Sequence, residues 1–125
     1  MCIRDSPLLQ GRVWNTDENS HGDFIAVVNH AFAARYFSSS NAVSNAVGRQ
    51  LRIPGLTPWN RYAVTSTQST AWRRIIGVVG DARNDGIGLP VVPAIYLPYT
   101  TLMRQHVEFL VRTQGDPLTL SLIHI

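Results

Sequence analysis

A chain of 125 residues with 45% hydrophobic composition has room for one compact domain, burying about two-thirds of its unfolded surface. Its eleven basic residues are all arginines, set against eight acids for a net charge of +3, and they are scattered instead of forming the stripe a nucleic-acid footprint needs. The lone Cys2 excludes an internal disulfide and has no Cys or His spacing partner for a metal, and no window approaches the roughly 18 apolar residues of a membrane span.

The two ends, MCIRDS and SLIHI, fit poorly with what they adjoin. Residues 1–6 and 121–125 are therefore expected to be non-native ends, leaving 7–120 for the fold. Leu8 to Glu18, LLQGRVWNTDE, reads as a loop with a polar turn carrying two carboxylates, and Ser20 to Asp23 as a further polar connector. Phe24 to Val28 is a short apolar strand. Asn29 ends it and is a good N-cap, because its side-chain oxygen can accept from the free N–H groups of the next turn. The helix it opens, His30 to Phe37, sets Phe32 and Tyr36, and Ala33 and Phe37, four residues apart on one apolar face.

Ser38 to Asn41 stops that helix, and Asn41 to Val47 reads as a small-residue linker. Gly48 to Ile53 resumes an alternating, strand-like pattern that Pro54-Gly55 ends. From 55 to 70 the chain is rich in Thr, Ser, Pro and Asn, which predicts a long loop or insertion. Trp72 to Arg83, WRRIIGVVGDAR, is the strongest strand: Ile75, Ile76, Val78 and Val79 are β-branched, and the nearly continuous apolar run predicts burial on both faces. Gly77 and Gly80 mark close approach by a neighbour, and Asp81 with Asn84-Asp85-Gly86 turns the chain. Ala94 to Leu97, between Pro93 and Pro98, is read as the sheet neighbour of that strand. Tyr99 to Gln105 is a connection with a helical turn around Leu102-Met103, Val107 to Arg112 is a third strong strand, and Asp116-Pro117 starts a helix. The sum is about five strands and two helices, of mixed α/β or α+β class.

Chemistry-bearing patterns are weak. Gly77-Val78-Val79-Gly80-Asp81 lacks the glycine spacing of a dinucleotide loop and the Lys-Ser/Thr of a phosphate loop. His21, His30, His106 and His124 have no metal-like partners at helical spacing, and no serine stands in a nucleophile elbow. The carboxylate pairs Asp17/Glu18 and Asp81/Asp85 read as turn formers, and Trp14, Trp59 and Trp72 are too irregularly spaced for a base-stacking platform. No catalytic, cofactor-binding or metal-binding residue is therefore assigned.

Several segments, taken in order, resemble the periplasmic core domain of MacB-type ABC transporter permeases, the FtsX-like family. They are Gly11-Arg12-Val13-Trp14 with Asp17-Glu18; Ala26-Val27-Val28-Asn29 leading to Ala34-Arg35-Tyr36-Phe37; Val47-Gly48-Arg49-Gln50-Leu51; Ile75 to Arg83; Ala94 to Pro98; and Phe109 to Thr113 with Gly115-Asp116-Pro117. The likeness covers about residues 8 to 120, the later part of that domain. It departs at His30, where an acid is usual, at Ala46, where a proline is usual, and in a longer stretch between Phe37 and Val47.

The resemblance implies an extracytoplasmic domain on the periplasmic side of the inner membrane, joined to transmembrane helices and working with a cytoplasmic ATP-binding subunit or domain. A periplasmic partner protein is expected at loops, and residues 55–70 and 83–88 are the expected contact regions. It implies efflux or other export, lipoprotein handling or signalling in the envelope, with no catalysis, no cofactor and no nucleic acid. The competing reading is a small soluble α/β enzyme, hydrolase-like, which would need a cleft holding a perturbed carboxylate or histidine.

Overall fold

The computed structural model describes residues 6–21, 24–37, 41–54, 64–65, 71–83, 86, 88–103 and 114–116. At its centre lie two parallel strands, β2 (Ile25–Asn29) and β5 (Arg73–Val79). Parallel neighbours need a long crossover. Here the chain between them carries α2 (His30–Tyr36), α3 (Ala42–Ala46), β3 (Gln50–Leu51) and β4 (Val64–Thr65). β1 (Leu8–Gly11) and β3 both pair antiparallel with the outer edge of β5, and β6 (Ile95–Tyr96) pairs antiparallel with β2, completing a mixed five-stranded sheet. A separate two-residue pair joins β4 to β7 (Leu102–Met103). With α1 (Thr16–His21) and a 3-10 turn at Tyr99–Thr101, the class is α+β.

The continuous apolar run of β5 has a structural cause. Opposite β2 the register steps from Ala26↔Ile75 to Val27↔Gly77, so β5 carries one extra residue at Ile76. A bulge of this kind breaks the period of two. Ile75 and Val78 consequently share one face with Val28, under Ala33 and Ala46 of the helices, whereas Ile76 and Val79 share the other with Ile25 and Val27, under Trp14 and Tyr96. Both faces are covered, as the composition of the run predicts, and β2 is buried at all five positions. Gly77 is required where it stands, because a Cβ there would land on the Arg12 carbonyl oxygen of the segment that follows β1. Gly11 meets Ile76 from the opposite side and also holds φ at +75°. Pro7 lies against Gly80, so both glycines of the run sit at close approaches.

The sequence-based assignment differs from the structure in several places. Residues 8–18, read as a loop, contain β1 and the start of α1; β1 is exposed at every position, and its order comes from the open edge of β5. The connector at Ser20 likewise begins inside α1. The 41–47 linker contains α3, a five-residue helix whose Ala46 is small enough to pack flat against the sheet. β6 is not the neighbour of β5, because the crossover places β2 between them. The helical turn lies at Tyr99–Thr101, and Leu102–Met103 is strand, paired with a β4 that falls inside the expected 55–70 loop. The Val107 to Arg112 strand and the Pro117 helix start lie outside the described residues.

Candidate functional site

Three polar constellations hang on this frame. The first is at the C-terminal ends of β2 and β5. Asn29 is fully buried, the last residue of β2 and the N-cap of α2. Its Oδ1 accepts from Phe32 N at 3.0 Å and from Ala94 N at 2.8 Å, and its Nδ2 donates to the Val92 carbonyl at 2.9 Å. One carboxamide thus starts a helix and pins the segment entering β6. Asp81, expected to turn the chain, instead reaches the same helix end: its Oδ1 accepts from Ala31 N at 2.8 Å and its Oδ2 lies 3.5 Å from His30 Nδ1. The segment held there exposes Leu89, Val91 and Val92.

The second lies at α1, a helix with no buried residue. Such a helix needs local support, and Asn15-Thr16-Asp17-Glu18 supplies a reciprocal capping box. Glu18 N donates to Asn15 Oδ1 at 2.8 Å while Asn15 N donates to Glu18 Oε2 at 2.9 Å. Arg12 then closes on the same carboxylate with both terminal nitrogens, at 2.7 and 2.5 Å. The Arg12 guanidinium and the Asn15 N–H lower the Glu18 pKa to about 2. The N-x-x-E spacing stands in the sequence, and the two adjacent carboxylates, which suit a turn equally well, mask it there.

The third is a cleft of about 460 Å³ between α1 and the 3-10 turn, lined by Trp14, Asn15, Thr16, Asn19, Leu97 and Tyr99. Its walls are tied together by Thr100 Oγ1, which donates to the Asn19 carbonyl at 2.5 Å.

At the start of β5, the Arg73 side chain is fully buried with Cζ 5.5 Å from the Phe24 ring centroid, and desolvation lowers its pKa. His21 Nδ1 lies 2.8 Å from the Asp17 carbonyl within α1. Cys2, Trp59, Asp85, His106 and His124 lie outside the described residues, as does most of 55–70. Asp17 and Glu18 do not act as a pair, since Glu18 is committed to Arg12. Among the described residues no three His, Cys, Asp or Glu side chains gather to hold a metal ion, and no helix is long and apolar enough to cross a membrane.

No curated protein and no solved structure matches the chain. The family model described as MacB-like periplasmic core domain matches residues 3–120, nearly the full length and through every strand described above. The chain accordingly belongs to the MacB-like periplasmic core domains, the extracytoplasmic domains of ABC transporter permeases.

Proposed function

We propose that this domain is a non-catalytic relay: it moves as one stiff body when ATP-driven helix movement reaches it and presents its loops to a substrate or partner protein. The observation that carries this reading is the β2/β5 pair, apolar and buried on both faces, with the fully buried Asn29 side chain bonded at once to α2 and to the segment before β6. A relay needs elements that do not yield separately, and a packed core resists continuous deformation. The partners are the remaining permease chain with its transmembrane helices, a cytoplasmic ATP-binding subunit or domain, and a periplasmic protein meeting residues 55–70 and 83–88. The site is the periplasmic side of the inner membrane, and the task is efflux or a related envelope transport. Residues 7–120 form the unit, between non-native ends.

The test places spin labels on the exposed Arg35 and Gln50 positions of the full-length permease, beside a label on a transmembrane helix. Addition of ATP is expected to change the distances between domain and membrane while leaving the Arg35–Gln50 distance fixed. A changed internal distance, or no movement relative to the membrane, contradicts the relay.

A further inference from the structure

We propose that the cleft between α1 and the 3-10 turn binds a neutral saccharide. A sugar ring has apolar C–H faces and a rim of hydroxyls, so a site for it combines aromatic planes with uncharged hydrogen-bonding groups. The cleft has both. Trp14 and Tyr99 supply the rings, Leu97 adds apolar wall, and Asn15, Thr16 and Asn19 supply two carboxamides and a hydroxyl. None of these six residues carries a charge. The ion pair of the same segment, Arg12 with Glu18, is closed on itself through both terminal nitrogens of the guanidinium. A charged ligand would find no counter-ion there and an open-chain polyol no use for the rings, whereas a sugar ring would find aromatic faces for its C–H groups and donors and acceptors for its hydroxyls.

The polar groups are available. The Asn15 Oδ1 serves the helix cap, but its Nδ2, the Asn19 carboxamide and the Thr16 hydroxyl have no protein partner among the described residues. The backbone N–H of Glu18 is already taken by Asn15, so the site does not depend on the end of a short helix. The walls are also held in advance. Trp14 packs on Ile25, Val27, Ile76 and Val79 of the sheet. Thr101 N donates to the Pro98 carbonyl at 3.0 Å, which shapes the turn bearing Tyr99, and Thr100 ties that turn to α1. A preformed cleft spares a ligand the cost of ordering it, and the volume lies within the roughly 300–1,000 Å³ usual for small-molecule sites. Tyr99 remains 59% exposed, so one wall is open to an entering ring.

The test titrates the full chain, labelled with nitrogen-15, with methyl β-glucoside, N-acetylglucosamine and cellobiose, and follows the indole N–H signals. The Trp14 signal is expected to shift and saturate together with the side-chain amides of Asn15 and Asn19. That of Trp72, exposed and outside the cleft, is expected to stay in place, and sorbitol and sodium glutamate are expected to leave all of them unmoved. Tyr99→Ala should weaken binding roughly three- to tenfold, the loss of one aromatic face. Asn19→Ala should weaken it independently if Tyr99→Ala disturbs the fold. A Trp14 signal that does not move, that drifts with Trp72 without saturating, or that answers glutamate as well as sugars would overturn the assignment, as would wild-type affinity in both variants.

Discussion

Two of the helices open on an asparagine whose side chain caps them, and the two caps have different consequences. Asn15 stands on the surface, where water can replace whatever its carboxamide loses, and it supports six residues with no buried side chain. Asn29 is enclosed. Its bonds to Phe32, Ala94 and Val92 link α2 with a segment more than sixty residues further along the chain, and the carboxamide that makes all three is itself fully buried. The chemistry is the same and the stakes are set by burial: a buried polar group left unpaired costs its full desolvation. α3 extends the comparison, since Asn41 occupies its N-cap position without a side-chain capping bond and the helix rests on Ala46 against the sheet.

The sharpest way to break this comparison is Asn29→Ala. It takes from two N–H groups and a carbonyl the one buried partner they share, and a loss of about 2–4 kcal/mol in unfolding free energy is expected from urea denaturation. The protection of the Ala94 amide against hydrogen exchange should fall with it. A loss below that of the surface cap would show that water enters the Asn29 site.

Asn15→Ala should cost less, about 0.5–1 kcal/mol, and that cost should be confined to α1, seen as faster exchange at Glu18 and Asn19 with β2 and β5 unchanged. The smallest effect concerns Glu18 itself. Its folded pKa is lowered from 4.5 to about 2, so the folded state holds the proton less tightly than the unfolded chain. The stabilisation is complete above pH 4.5 and fades as the pH falls from there to about 2. Because the pair is solvent-facing, the change should be slight, weaker in high salt, and absent in Arg12→Met. A large loss in that window that survives Arg12→Met would place the responsible carboxylate elsewhere.

What the sequence disclosed follows the same division. β5 was legible because β-branched residues in a continuous run leave little else for it to be, and its two-faced burial could be read from the missing alternation. The capping role of Asn29 was legible too, being a local relation between a strand end and a helix start. Its second role was not, because Val92 and Ala94 lie 63 and 65 residues away and nothing in the local pattern points to them. β1 and α3 escaped for a related reason. Each is four or five residues long, and each takes its order from β5 or from close packing on the sheet instead of from its own periodicity. The order of β5, β2 and β6 could not be read from adjacency along the chain, since a crossover decides it. The cleft joins residues 14–19 to 97–99, so its two aromatic rings meet only in the folded chain.

Rigidity is the property on which the proposed relay rests, and amide hydrogen exchange on the full-length permease with its ATPase measures it directly. With ATP bound and with ATP absent, the amides of Val27, Val28, Ile75 and Val78 and that of Ala94 are expected to exchange equally slowly, the changes being confined to the loops. Faster exchange in β2 or β5 in one nucleotide state would mean that the sheet itself yields, and the domain would then be a deformable element instead of a transmitter.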